Sequence, residues 1–435
     1  MGVGVALVLE AVRSRVRRAL IARSPGIDLS RLDRVPERLT WPLKREGMEP
    51  VGRLEELREA KGPVAKVVNF LGVEVWVVTG DAEARELLAD QTSYSTDIRP
   101  YMGKAGNAEN GDIGGLGFTD PPDHTRLRKL LTPEFTMRRL ARLKPAIDRI
   151  IEDQLDETER LGADGQAVDL AQTFAFPVPF LVICELLGLP VEEREKFRGM
   201  ASARFDVTGG GIGTVGAVAG SRQFLFEETA RQRREPGPGL IGQIIREHGD
   251  EITDFDLAGL ADGAFTGGLE TSASMLALGT AVLLDRRDVW DLLIAEDHSV
   301  VPIVDELLRY LSVVQISFPR FAKHDVVLGG QKIKKGAVVL AHLPAANRDQ
   351  RAYHSATAGS GFDHGQATAS HLAFGHGFHR CVGAELARME LRAAYPALAR
   401  RFPHLTLAVD ASELAFHDRS IVYGVESLPV YLDGR

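Results

Sequence analysis

HLAFGHGFHRCVGAELARMEL, residues 371–391, packs three histidines, three glycines and a cysteine into its first thirteen positions and then reads as a helix. Only two cysteines, Cys184 and Cys381, occur in the 435 residues. Two chemistries compete for the stretch. His371, His376, His379 and Cys381 are ligand types that zinc accepts, but they lack the paired Cys-x-x-Cys or His-x-x-x-His clamps usual for it. Alternatively, Cys381 is an axial thiolate on haem iron. It stands just before VGAELARMELRAA, in which Val382, Leu386 and Met389 share a helical face. A cysteine at a helix N-terminus has its thiolate favoured by the helix dipole and by free backbone N–H groups. Gly375, Gly377 and Gly383 remove side chains where backbone would lie close to a flat macrocycle. Cys184, inside FLVICELLGLP, reads instead as a small buried apolar residue.

Around this stretch the chain is ordinary for a soluble globular protein. Hydrophobic residues make up 44% and charged residues 26%. A formal net charge of −8 and the lack of a long Lys/Arg tract argue against a nucleic-acid partner. Two cysteines build no disulfide framework, so a reducing cytoplasm is the simplest compartment. The N-terminal MGVGVALVLEAVRSRVRRALI carries its positive charges after a short apolar run, unlike a secretory signal. It is too short to span a bilayer. Packing on its own protein is expected there rather than membrane contact, with residues 1–30 a candidate N-terminal extension.

The composition never shifts enough to mark a domain boundary, so residues 1–435 read as one large domain. Val64 to Gly80 reads as two Val-rich strands around Leu71-Gly72, and Asp325 to Leu343 as two more with Gly329-Gly330 as the turn. Arg231 to Gly239 is the clearest loop. Most of the rest has helical spacing. The longest candidate runs from Ile252 to Arg287, with Thr253 or Asp254 as cap, and is apolar on nearly every side.

Phe374-Gly375-x-Gly377-x-His379-x-Cys381-x-Gly383 resembles the haem-binding signature of the cytochrome P450 family at every fixed position. The resemblance implies a mainly α fold with small β-sheets, in which haem b lies between the long central helix and the cysteine loop. It implies Cys381 as the proximal iron ligand, Phe374 shielding the sulfur and His379 near a haem propionate. Four further features match in order. Glu306 and Arg309 share a helix face, which alone would be an ordinary surface ion pair. The resemblance makes them a buried pair supporting the cysteine loop, with Gln366 standing where a third, charged partner is usual. Gln supplies neither the charge nor the bidentate fork. Gly267-Gly268-Leu269-Glu270-Thr271 interrupts the long helix with poor helix formers. Close packing at the glycines and back-bonding by Thr271 would explain them structurally. The resemblance instead implies an oxygen-activating turn, open at the glycines, with Thr271 and Glu270 as its proton-delivering pair. His124 and Arg128, four apart in DPPDHTRLRKLL, are implied propionate partners, as is Arg320 in SFPRFAKHD. Ala345 to Asp349, AANRD, also matches.

The match is strong from about Asp120 onward and holds only in layout over the first hundred residues. It implies a bacterial-type, cytoplasmic monooxygenase that acts on a small molecule with O2, with electrons from a ferredoxin and a ferredoxin reductase. Alternatives are a non-oxygenating or oxidative-coupling haem-thiolate enzyme, or a catalytically silent haem protein. The stretches implied to lie over the haem, Tyr94 to Gly117, Gly199 to Gly216 and Val313 to Phe318, hold few fixed charges, which suggests an apolar substrate. The basic run Arg126, Lys129, Arg138, Arg139, Arg142 and Lys144 suggests a docking face for an acidic ferredoxin.

Overall fold

The computed structural model describes residues 41–50, 52–70, 73–98, 116–204, 215–353, 361–365, 370–417 and 420–434. The N-terminal segment, Gln366 and the middle parts of two expected substrate stretches lie outside the described residues. Among the described residues, twelve helices of nine residues or more carry the architecture: α1 (Arg53–Lys61), α2 (Asp81–Ala89), α3 (Asp123–Leu131), α4 (Lys144–Leu161), α5 (Pro177–Leu187), α6 (Val191–Arg204), α7 (Val215–Arg234), α8 (Leu240–His248), α9 (Asp254–Leu284), α10 (Arg287–Ala295), α11 (Val300–Leu311) and α12 (Ala384–Arg401).

Helix α9 is the axis of the molecule. The Thr253 hydroxyl accepts the Asp256 N–H at 3.1 Å and so caps it, as the sequence suggests. Its 31 residues are long and apolar enough to cross a bilayer, but much of its surface is buried among neighbouring helices. Helix α5 packs on it where Gly268 meets Ile183; a Cβ there would lie 3.0 Å from Ile183 Cδ1. Cys184, on the same helix, is fully buried, and burial pushes its thiol up to about 12, so it is a core residue. Helix α12 is joined to α9 by the Tyr395 hydroxyl, which donates to the Met275 carbonyl; Gly279 leaves the room for that ring.

A five-stranded sheet flanks the helices. Its strands are β1 (Val64–Phe70), β2 (Val73–Val78), β3 (Tyr94–Ser95), β4 (Arg320–Ala322) and β7 (Val338–Ala341), in the order β1-β2-β7-β4-β3. Val338 pairs with Val75 in the one parallel step, and Ser95 pairs antiparallel with Phe321. That register sets Thr96, just beyond β3, beside Arg320 at the start of β4. The first hairpin matches the sequence reading. The second differs: β5 (Val326–Leu328) and β6 (Gln331–Ile333) pair around Gly329 and Gly330, both at positive φ. The turn at Gly336, φ 80°, then sends the following residues away as β7 into the larger sheet. The expected loop over Arg231–Gly239 is also shorter. Helix α7 continues to Arg234 because Arg231 pairs with Glu228 at 2.7 Å and Arg233 reaches Asp254 at 2.7 Å.

Candidate active site

The cysteine loop is held by its own backbone before any other group touches it. Gly375 N–H donates to the Leu372 carbonyl at 2.8 Å, and Cys381 N–H donates to the Phe374 carbonyl at 2.9 Å. Gly375 and Gly377 have φ of 68° and 67°, which other residues rarely adopt. At Gly377 the constraint is double, because a Cβ would lie 2.7 Å from Ala89 Cα and the Leu88 carbonyl oxygen. Its glycine serves contact with α2. A Cβ on Gly375 would meet no protein atom within 4 Å. Gly383 is the N-cap of α12, and its N–H is donated to Cys381 Sγ. Cys381 is exposed by surface area yet ringed by protein atoms, the situation of a side chain facing an interior cleft. Desolvation pushes its thiol up, opposed by the Gly383 N–H and by Arg128, Arg380 and Arg388.

Behind the loop, Asp305 of α11 gathers three groups. Arg388 donates to it at 2.8 Å, Arg392 at 3.2 Å, and His371 Nε2 stands 3.8 Å away. Burial works against this carboxylate, but His371 and the two guanidinium groups hold it well below the usual range. The Arg388 guanidinium also lies over the Phe374 ring, 4.7 Å from its centroid. His371 is thus engaged with Asp305, while His379 faces His124. Among the described residues no group of three or more His, Cys, Asp or Glu could hold a metal ion. The zinc reading therefore fails: its four residues are not brought together.

Glu306 and Arg309 are buried and joined by two parallel bonds of 2.7 Å. Among the described residues the remaining corners are backbone. Arg309 donates to the Asn347 carbonyl at 2.7 Å and to the Gly361 carbonyl at 2.9 Å, and Glu306 accepts the Asp363 N–H at 2.7 Å. Asn347, in the AANRD motif, accepts the Leu372 N–H at 2.7 Å and donates to Ser312 at 2.7 Å. The pair and the cysteine loop are therefore coupled through one asparagine.

Four cationic or potentially cationic side chains converge on the other side of the loop. His124 meets His379 edge to face, ring centroids 4.4 Å apart, and Arg128 donates to the Arg380 carbonyl at 2.7 Å. Burial and Arg128 push His124 down to about 4; burial, Arg320 and His124 push His379 down to about 3. Burial lowers Arg320 to about 10. Both ring nitrogens of His124 are buried and make no hydrogen bond within the chain. Asp120 is the acid that acts on three of the four. Helix α3 brings His124 and Arg128 together, and the β3–β4 register brings in Arg320.

On α9, Gly267 is exposed and a Cβ on it would meet nothing within 4 Å, so this glycine opens a face. Gly268 points at Ile183 and serves packing, a separation the sequence does not reveal. Thr271 donates to the Gly267 carbonyl at 2.7 Å. Burial pushes the Glu270 carboxyl up to about 8.

The cytochrome P450 family model matches residues 31–204 and 227–426. The chain belongs to the cytochrome P450 family. Cytochrome P450 165C4 of Amycolatopsis orientalis is 40% identical over 363 residues, 82% of this chain and 88% of its own length. The 6-deoxyerythronolide B hydroxylase of Saccharopolyspora erythraea is 35% identical over 394 residues, covering 87% and 95%. The structure of OxyE, a cytochrome P450 involved in teicoplanin biosynthesis, superposes with a TM-score of 0.80 at 36% identity, over 90% of this chain and 99% of that one. OxyC, implicated in an oxidative C–C coupling reaction during vancomycin biosynthesis, superposes at 0.78 with 38% identity, over 89% and 95%. The chain is thus a P450 monooxygenase of bacterial type, an oxidoreductase that binds haem b and uses O2 and redox partners on a small molecule. The residues present fit that group. A sulfur lies at a helix N-terminus, and the Arg128 and Arg320 guanidinium groups, with two neutral imidazoles and both His124 nitrogens unbonded, suit two acid side chains.

Proposed function

We propose that this P450 inserts one oxygen atom of O2 into an apolar small molecule, with electrons from an acidic ferredoxin. Cys381 is the iron ligand, Phe374 packs beside its sulfur, and Gly375 and Gly383 keep the approach to the macrocycle clear. His124, Arg128, Arg320 and His379 hold the acid groups of the haem. Residues 1–435 act as one domain. The observation that carries the reading is the sulfur of Cys381 at the head of α12, bonded by the Gly383 N–H and beside that ring of cations.

Bound haem supplies the oxygen chemistry. The chain supplies protons and position. With its carboxyl pushed up to about 8, Glu270 is largely protonated at neutral pH and has a proton to give. Thr271 has committed its hydroxyl hydrogen to the Gly267 carbonyl, so its oxygen is free to accept, and donating a proton requires the hydroxyl to turn away from that carbonyl. The ferredoxin face is smaller than the basic run suggests. Arg126 pairs with Asp256 at 2.9 Å, Lys144 with Asp148 at 2.6 Å, and Arg139 and Arg142 with buried Glu134. Exposed Lys129 and Arg138 remain, with Arg380 beside the cysteine.

The likeness to enzymes such as OxyC supports a second reading, oxidative coupling. Isotope-labelled O2 separates the two: insertion places the label in the product, whereas coupling removes two hydrogens and leaves the product unlabelled. The shared foundation is tested on Cys381→Ala. The wild-type reduced CO complex should show the red-shifted Soret band of thiolate haem, and the variant should lose it. A wild-type protein that takes up no haem would sink both readings.

A further inference from the structure

Asp120 acts by charge on three of the four side chains assigned to the haem acid groups. Its carboxylate accepts the Thr96 N–H at 2.9 Å and the Thr96 hydroxyl at 3.0 Å, and it also accepts the Ser95 hydroxyl. Its carbonyl accepts the His124 N–H at 3.1 Å, in the first turn of α3. The Thr96 hydroxyl lies 3.4 Å from His379 Nε2. A hydroxyl has one hydrogen, and that of Thr96 is given to Asp120. Thr96 can therefore only accept from His379, which orients the ring with its Nε2–H toward Thr96. Arg320, paired in register beside Thr96, feels the same carboxylate.

We infer that Asp120, through Thr96, is the positioning residue for the haem-facing side chains. It joins three elements that are remote in sequence: the end of β3, the head of α3 and the cysteine loop. The carboxylate fixes His379 by a two-bond relay and acts on His124 and Arg320 by charge, while the backbone carbonyl of the same residue holds the His124 N–H. Thr96 is 3% exposed, so the relay is shielded from water that would otherwise compete for its bonds. Outer partners of this kind set the orientation of the groups they hold, and their loss commonly weakens cofactor affinity by about 10- to 100-fold. The inference rests on the haem reading above.

The test uses the haem-loaded chain with Asp120→Ala, Asp120→Asn and Thr96→Val. Two quantities are followed: the rate of haem transfer to excess apomyoglobin, and the midpoint potential of the haem by dye equilibration. Asp120→Ala should lose haem about tenfold faster. Asp120→Asn keeps an oxygen for the Thr96 N–H, so its haem loss should lie within about threefold of wild type. It removes a negative charge near the haem edge, so its potential should rise. Thr96→Val keeps the Thr96 N–H bond to Asp120 and removes the hydroxyl from both Asp120 and His379; it should speed haem loss and leave the potential close to wild type. Wild-type haem loss in both Asp120→Ala and Thr96→Val would overturn the inference, as would an unchanged potential in Asp120→Asn. If Asp120→Ala does not fold, the other two variants still decide. A wild-type chain that takes up no haem overturns the parent reading instead.

Discussion

The two sides of the active site are built on opposite plans. On the cysteine side nearly every strong polar group is answered by another. Asp305 has His371, Arg388 and Arg392, Glu306 has Arg309 and the Asp363 N–H, and Asn347 spans from Leu372 to Ser312. On the α9 side, Gly267 faces open space, Thr271 bonds only back into its own helix, and the Glu270 carboxyl is shifted by desolvation alone. Saturated buried networks hold one geometry. A turn with uncommitted lone pairs can exchange partners during a reaction. The first plan suits a group that must hold a fixed ligand, and the second suits one that must deliver protons.

The largest effect should come from breaking the saturated side. Arg309→Ala strands Glu306 in the interior, where it is 1% exposed. Removing one member of a buried pair typically costs about 3–5 kcal/mol. Denaturant unfolding should show that loss, together with faster haem dissociation. A cost below about 1 kcal/mol would mean that the network is not cooperative.

The open side should respond in chemistry and not in stability. Thr271→Ala should keep a normal CO spectrum and near-normal substrate binding while more of the NADPH consumed emerges as hydrogen peroxide. Glu270→Gln should slow turnover by about 10²-fold or more, because the side chain that exchanges protons is gone. The ratio of product to NADPH oxidised is the measurement. Wild-type coupling in Thr271→Ala would leave the coupling chemistry as the better account of this chain.

Three residues cross the division, His371 and Arg392 by one unbonded nitrogen each and Glu390 by its carboxyl. Glu390 lies on the cysteine side, on α12, but its Oε1 makes no hydrogen bond and burial pushes its carboxyl up to about 8. The folded state therefore holds this proton more tightly than the unfolded chain, whose carboxyl titrates near 4.3. Its contribution to stability is full below about pH 4 and is lost as pH rises toward 8. The stability of Glu390→Gln relative to wild type should grow from pH 4 to pH 8.5, by on the order of a few kcal/mol. A difference that stays constant over that range would show that the carboxyl ionises without cost.

Much of the site is legible in the sequence because it is local. The cysteine loop, the His124/Arg128 pair, the Glu306/Arg309 pair and the α9 turn each fall within one helical turn or one loop, so spacing alone places their members together. What stays hidden depends on tertiary register. Thr96 and Asp120 are 24 residues apart, and their bond follows from the end of β3 meeting the head of α3. The pairing of Arg139 and Arg142 with Glu134 turns expected surface charge inward, and composition cannot show that. Gly267 and Gly268 are adjacent and alike in sequence; only the position of Ile183 separates the open glycine from the packed one.

The smallest effect is expected at Gln366. In sequence it stands where a third charged partner of Glu306 and Arg309 is usual, and a gain from restoring arginine would be the natural expectation. The pair leaves little for such a partner to do. Arg309 places Nε and Nη2 on Glu306, Nη1 on the Asn347 carbonyl and Nη2 also on the Gly361 carbonyl. Glu306 Oε1 already accepts the Asp363 N–H besides the guanidinium. Among the described residues, backbone carbonyls and an N–H are what meets the pair. An added guanidinium would have to displace one of these bonds or remain in solvent, where an exposed pair contributes about 0–1 kcal/mol. Gln366→Arg should therefore change stability by less than about 0.5 kcal/mol and leave the haem transfer rate within about twofold. Haem loss slowed tenfold would show that the backbone closure is weaker than its geometry implies, and that the saturated side has a gap after all.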